Sequence, residues 1–333
     1  MSSPVLAIVL PCYNEEEILP STAGRIDALL EGMIRSGQIA PNSFACFVDD
    51  GSRDKTWELI QELTTGNPLR FRSVKLSRNY GHQQAILAGM EAVTEHCDCC
   101  VTIDADLQDD LKALREMVDK FRSGDVEIVL GVKRNRTVDS LFKRLTAKTF
   151  YRILDGAGCK SVENHADFRL MSRKALRHLS EHREYNLFLR GIILQLGLKT
   201  DYVHYDIVDR TAGTTKYTLS KMFNLALVGI TSLSIMPLRF LFGVGLAFFI
   251  LSTLMTVWFI IDYYLDNTVP GWATVVTSIW ALGGIQMMGI GILGEYIGRI
   301  FMEVKQRPRY LIDEQTVNAA ASIPLSNEYR KSA

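Results

Sequence analysis

Residues 102–110 read TIDADLQDD, so Asp104, Asp106, Gln108, Asp109 and Asp110 follow directly on an apolar stretch that ends at Ile103. Carboxylates held this close repel one another and raise each other's pKa unless something positive lies between them. A divalent cation is the economical solution. Hard oxygen ligands with no Cys or His among them favour Mg²⁺ or Mn²⁺, and Mg²⁺ typically takes one or two carboxylates together with substrate phosphates. The segment therefore predicts a metal and a diphosphate at one place. An isolated D-x-D is common in loops; here it stands between a hydrophobic strand and a helix, which gives it weight. Asp109 and Asp110 are expected at the start of that helix, where negative charge suits the dipole.

Positive groups stand at two other places. Lys133, Arg134 and Arg136 in GVKRNR follow a later apolar run, either to neutralise a diphosphate or as a solvated basic loop. Arg210 and Lys216 in RTAGTTKY flank Gly213 just before a long apolar region. A positive loop there suits an anionic lipid headgroup, the alternative being a juxtamembrane charge that only obeys topology. Other chemistries lack their residues. There is no GxxxxGK[ST] loop and no GxGxxG after the first strand, so neither a P-loop NTPase nor a dinucleotide enzyme fits. His178 and His182 lack the glutamate of HExxH, and the CDCC cluster at 97–100 lacks a second pair at zinc spacing. Those cysteines read as small apolar residues entering a buried strand.

The elements that must position these groups alternate along the chain. Strand-like runs at 5–10, 44–48, 72–76, 99–103 and 126–132 are separated by helical spacing at 55–63, 83–92 and 111–121. That alternation implies βαβ units and a mostly parallel sheet, an α/β class. Polar clusters follow each of the first four strands: PCYNEEE, DDGSRDKT, SRNYGHQQA and DADLQDD. Ligands of such sheets bind beyond the carboxyl ends of the strands, so all four clusters should meet on one rim.

The 333 residues carry no formal net charge, which argues against a general nucleic-acid binder. The cysteines show no disulfide framework, so the domain is expected to be reduced and cytosol-facing. The N-terminus lacks a basic n-region and is expected to enter the first strand rather than act as a signal peptide. Charge is partitioned sharply: between 222 and 293 the only charged side chains are Arg239, Asp262 and Asp266. Two stretches, about 240–261 and 272–294, are long enough to cross roughly 30 Å of hydrocarbon as helices. The predicted organisation is a catalytic domain over 1–218, a juxtamembrane amphipathic helix over 219–236, a two-helix transmembrane hairpin over 237–298 and a cytosolic tail over 299–333. Basic residues flank the hairpin and none lies in its loop, so both termini and the catalytic domain are placed in the cytoplasm, on the inner (plasma) membrane. Gly294 and Gly298 in GxxxG spacing suit close helix packing, against the first span or a second copy, which leaves a homo-oligomer open.

The motifs VLPCYNEEE, FVDDGSRDKT, SRNYGHQQAILAG and TIDADLQD, in this order, resemble those of family 2 glycosyltransferases with the GT-A fold. ADFRLMSR at 166–173, RTAGTTKY at 210–217 and the glycine-rich segment running into KQRPRY narrow the resemblance to the polyisoprenyl-phosphate branch, with bactoprenol glucosyltransferases nearest. The resemblance implies a Rossmann-like cytosolic domain and inverting, metal-dependent transfer of a hexose to undecaprenyl (polyprenyl) phosphate. Glucose from UDP-glucose is the expected donor, with mannose, N-acetylhexosamine or 4-amino-arabinose as alternatives. It places Pro11, Tyr13, Glu15, Asp49 and Asp50 at the nucleotide, Asp104 near ribose and sugar, and Asp106 and Gln108 on the metal. Asp167 is implied to face the donor sugar, with Arg169 as its partner or at a phosphate. Many relatives carry Lys where this chain has His82, which weakens any phosphate contact expected there.

Overall fold

The computed structural model describes residues 3–133, 165–182, 184, 189–206 and 271–317, with a few positions between 238 and 261. β1 (Leu6–Cys12) and β2 (Phe44–Asp49) are buried along their whole length. Continuous apolar runs of this kind mark strands covered on both faces. β3 (Phe71–Leu76) and β4 (Cys99–Thr102) complete a parallel set in the order β4-β1-β2-β3, and β5 (Ile128–Lys133), β6 (His165–Ser172), β7 (Thr200–Tyr205) and β8 (Ile312–Gln315) extend it to β7-β5-β6-β4-β1-β2-β3-β8. Cys97, Cys99 and Cys100 are buried free thiols in or beside β4, as their reading as small apolar residues requires.

The helices are α1 (Leu19–Arg35), α2 (Thr56–Gly66), α3 (His82–Val93), α4 (Leu111–Arg122), α5 (Arg173–Ser180), α6 (Leu189–Gln195) and α7 (Trp272–Val304). Leu30 of α1, Ile60 of α2 and Leu114 of α4 join one apolar core with Leu6, Ile8 and Leu10, while Leu87 of α3, Leu176 of α5 and Ile192 of α6 join a second with Ala7 and Val9. The alternation of β1 side chains thus feeds both faces. Gly89 lets α3 press onto the sheet, since a Cβ there would come within 2.5 Å of Val9 and 2.7 Å of Val48. Asp110 caps α4 by accepting from Lys112 N at 2.9 Å, as its place before the helix predicts.

One feature corrects the sequence expectation and a second extends it. The sheet is mixed rather than mostly parallel: four neighbouring pairs are parallel, but β6 runs against both β4 and β5, and β8 runs against β3. The reversal of β6 brings its first residues, not its last, to the rim where β4 ends. The boundary expected at 298 falls inside α7, which continues to Val304 before the left-handed Gln306 (φ 46°) and Pro308 redirect the chain. The tail then returns to the catalytic domain. Ile312–Gln315 pairs with β3, Ser77 N donates to Leu311 O at 2.9 Å, and Glu91 on α3 holds Arg309 at 2.8 Å and accepts from the Tyr310 hydroxyl.

Counting described residues alone, no helix is long and apolar enough to cross a membrane. The helix expected over 219–236 and most of the first span lie outside them, and the second span falls within α7. Val275, Ile279, Leu282, Ile290, Leu293, Ile297 and Ile300 of α7 are exposed.

Candidate active site

β1, β2, β3 and β4 end together. Register pairs Cys12 with Asp49, Asp49 with Lys75 and Val9 with Thr102, so the four polar clusters do share one rim. The first two loops are laced together: Asn14 N donates to Ser52 Oγ at 3.0 Å, Arg53 N to Asn14 Oδ1 at 2.9 Å and Glu15 N to Thr56 Oγ1 at 2.8 Å. Asn14 adopts a left-handed backbone (φ 55°), which an asparagine tolerates better than most residues. Pro11 is buried at the end of β1, Tyr13 is exposed and Glu15 is half-buried, so the cluster forms a wall with an aromatic face open to ligand.

Asp49 and Asp50 are buried, and burial pushes both carboxyls above their usual range against the bonds they accept. Asp49 accepts from Ser52 N at 3.3 Å. Asp50 accepts from Tyr80 N at 2.7 Å and Gly81 N at 2.9 Å, one bond to each oxygen. Both oxygens accept from backbone, so Asp50 braces the third loop. Gly81 (φ 94°) makes the turn the brace requires and sets His82 at the first position of α3.

β4 ends at Thr102 and the chain turns, with Ile103, Ala105 and Leu107 buried, Asp104 and Asp106 exposed and Gln108 half-buried. Leu107 N closes the turn on Asp104 O at 3.1 Å, and Thr22 of α1 donates to Ala105 O at 2.6 Å. Leu107 itself is left-handed (φ 46°), a strained state for a leucine of the kind that clusters at functional sites. The surrounding protein and then the neighbouring carboxylates of Asp109, Asp167 and Asp106 push Asp104 up to about 6 despite His82. Half of its side chain is open to solvent, and that moderates the rise.

Asp109 does not follow Asp110 into a capping role. It is buried, accepts from the Tyr205 hydroxyl at 2.6 Å and lies 3.5 Å from Lys133 Nζ. Lys133 is therefore committed in part to an internal acid, and Tyr205, held up in pKa by burial and by Asp109, anchors the end of β7 to the turn.

Asp167 stands at the start of β6, close enough to β4 for Thr102 Oγ1 to donate to its carbonyl. Arg169 Nη2 reaches its Oδ1 at 2.5 Å, and Arg190 Nε and Nη2 reach Oδ1 and Oδ2 at 3.2 and 3.0 Å. Burial would raise Asp167, but His82 and the two guanidinium groups outweigh it and hold the carboxyl well below the usual range. Arg169 is fully buried and is the partner of Asp167; with no exposed surface it is not placed to meet a lipid phosphate. His82 Nε2 lies 3.4 Å from Asp104 Oδ1 and 3.6 Å from Asp167 Oδ2. Sequence reasoning missed Arg190 and this role of His82. The one signal for Arg190 is that it is the single charge in the otherwise apolar α6, LRGIILQ. Arg134, Arg210 and Lys216 lie outside the described residues.

The donor set fits a divalent cation. Asp106 is an exposed carboxylate, and Gln108 carries a buried amide nitrogen without a partner, a position its oxygen occupies after a flip of the amide. Among the described residues no three His, Cys, Asp or Glu side chains form a metal cage. That suits an ion whose remaining ligands are diphosphate oxygens and water. A cavity of about 980 Å³ lies elsewhere, between α3, α5 and the α7–β8 connection, and contains none of the rim carboxylates. Charge and backbone strain converge at the open rim.

Comparison with known proteins gives consistent assignments. Residues 236–300 match the GtrB C-terminal hairpin. Similar proteins include the uncharacterized glycosyltransferase YkoT of Bacillus subtilis (strain 168), 46% identical over 330 residues, 99% of this chain and 97% of that one. The bactoprenol glucosyl transferase of Shigella phage SfX is 38% identical over 309 residues, 92% of this chain and 98% of that one. Among solved structures, glucosyl-3-phosphoglycerate synthase from Mycobacterium tuberculosis aligns with a TM-score of 0.44 at 18% identity, covering 69% of this chain and 78% of that one. Residues 7–180, the sheet and loops that build the rim, match glycosyl transferase family 2. The chain belongs to glycosyl transferase family 2 and is a glycosyltransferase.

Proposed function

We propose that this enzyme transfers a hexose, glucose from UDP-glucose, to undecaprenyl or another polyprenyl phosphate at the cytoplasmic face of the inner membrane, with inversion at the anomeric carbon. The observation that carries this reading is the pair of exposed carboxylates, Asp104 and Asp106, on the turn after β4, with Asp104 and the clamped Asp167 both within 3.6 Å of His82 Nε2. The bactoprenol glucosyl transferases at 38% identity over most of the chain support the acceptor class. The exposed apolar residues of α7, which recur at helical spacing from Val275 to Ile300, and the hairpin match over 236–300 support attachment to a bilayer.

A phosphomonoester acceptor carries roughly −1.5 to −2 charges at pH 7. It arrives deprotonated, so no strong general base is needed, and positioning with charge stabilisation dominates. Tyr13, Glu15 and Asp49 form the nucleotide side of the rim, with Pro11 closing β1 beneath them. Asp104 faces ribose and sugar, and Asp167, fixed by Arg169 and Arg190, orients the sugar from the opposite side. Asp106 and Gln108 would hold Mg²⁺ or Mn²⁺, which supplies Lewis-acid stabilisation of the departing diphosphate. Lys133, Arg134, Arg210 and Lys216 supply positive charge for the acceptor phosphate. An acceptor phosphate oxygen bonds to the anomeric carbon as the bond from that carbon to the nucleotide diphosphate breaks.

Purified full-length protein given a mixture of nucleotide sugars, a polyprenyl phosphate and Mg²⁺ or Mn²⁺ tests this by mass spectrometry of the lipid product. A hexosyl polyprenyl phosphate is expected, and no lipid-linked sugar from any donor would refute it.

A further inference from the structure

Three side chains from three different elements meet at the rim. His82 comes from the first turn of α3, Asp104 from the turn after β4 and Asp167 from the first half of β6. The imidazole Nε2 lies within 3.6 Å of both carboxylates. The two acids are held very differently. Asp167 has two arginines of its own and stays in place whatever happens to His82. Asp104 stands among Asp106, Asp109 and Asp167, and His82 Nε2 lies 3.4 Å from its Oδ1. The imidazole is itself fixed from behind, because Asp50 holds the N–H groups of Tyr80 and Gly81 immediately before it.

We infer that His82 is a positioning residue that ties Asp104 to the clamped Asp167 and so sets the spacing between the nucleotide-and-sugar side of the site and its opposite wall. The inference rests on the proposed reading of the rim as the donor site. It gives the buried pair of Asp50 bonds a function: they carry the position of α3 to Asp104 through one ring. Without His82, Asp104 loses the ring that joins it to Asp167 and leaves the geometry in which it meets the donor. Misplacement by about 1 Å at such a site costs on the order of a hundredfold in rate.

The test uses the full-length protein with His82→Ala, His82→Lys, Asp104→Asn and the double variant His82→Ala/Asp104→Asn, assayed for kcat and donor KM. His82→Ala is expected to lose about tenfold to a hundredfold in kcat/KM for the donor. Added imidazole or His82→Lys should restore part of that loss, and the double variant should lose little more than Asp104→Asn alone. A His82→Ala enzyme within twofold of wild type, or losses that simply multiply, would overturn the inference. Thermal unfolding of wild type and the same four variants separates it from the reading it rests on. If wild type transfers no sugar, the donor-site reading fails. The tie then still predicts that His82→Ala lowers Tm more in the wild-type background than beside Asp104→Asn, and equal shifts would refute it.

Discussion

Asp104 and Asp167 face each other at one end of the sheet, yet their surroundings push them in opposite directions. Asp104 lies on the turn after β4 with half its side chain open, among other acids, and its carboxyl is raised to about 6. Asp167 is only 11% exposed, accepts from two arginines and is held well below the ordinary range. One region gathers several acids with His82 and Lys133 beside them; the other sets two arginines on a single carboxylate. The difference teaches how the work is divided: the β4 turn is built to receive positive charge with the ligand, and the start of β6 is a rigid wall against which the ligand is aligned.

The largest disturbance of that contrast comes from the wall. Asp167→Ala leaves Arg169 fully buried without its carboxylate, and breaking a buried pair in this way costs about 3–5 kcal/mol. Denaturant unfolding should show a loss of that order. The sign of its pH dependence follows from the direction of the shift. A carboxyl depressed in the folded state contributes stability above its unfolded pKa of about 3.9 and loses it as pH falls through the folded value. The gap between Asp167→Ala and wild type should therefore narrow in acid. Asp104 predicts the opposite slope: its raised pKa favours the fold below about 3.9, and that contribution is lost as pH rises through about 6. Asp104→Asn should thus gain on wild type in thermal unfolding between those values, and parallel pH profiles for the two variants would break the comparison.

On the receiving side, Asp106→Ala should lower transfer by about 10²- to 10³-fold, in line with the several kcal/mol that a Lewis-acid metal supplies, while Tm stays near wild type because the side chain is exposed. A smaller effect is expected one residue pair deeper. Tyr205→Phe removes the hydroxyl that Asp109 accepts and leaves a buried carboxylate short of a donor, for about 1–3 kcal/mol of stability. The smallest effect belongs to a site remote from both acids. Thr316→Val at the β8 edge removes the oxygen that accepts from Ser73 N at 2.8 Å and should cost about 0.5–1.5 kcal/mol without changing donor KM.

Much of this division was legible in residue order. The strands β1–β5 and the helices α2, α3 and α4 appear within two or three residues of their expected limits, whereas α1 (Leu19–Arg35) has no counterpart in the sequence expectation. Buried parallel strands write themselves as unbroken apolar runs. The D-x-D-x-Q pattern was likewise legible as a polar cluster at a strand end, and the Ala105 and Leu107 between its members are buried. What the sequence hid is tertiary. The antiparallel entry of β6 decides that Asp167 reaches the rim, and nothing local in HADFRLMS states its direction. Arg190 arrives from a helix more than twenty residues further on, Lys133 is drawn to Asp109 by a buried charge, and Asp50 turns inward to backbone donors of another loop. The tail reads as polar and unremarkable, yet it completes the sheet because β3 would otherwise present an unpaired edge.

The central claim is that the open acidic turn serves cation-assisted sugar transfer to a polyprenyl phosphate. Its most direct measurement is the transfer of labelled sugar from UDP-glucose to undecaprenyl phosphate by wild type and by Asp106→Ala, each with Mg²⁺ or Mn²⁺ and each with EDTA. The account predicts labelled lipid from wild type with metal only and almost none from Asp106→Ala under any condition. Equal transfer by the two proteins, or transfer by wild type that EDTA leaves unchanged, would contradict it.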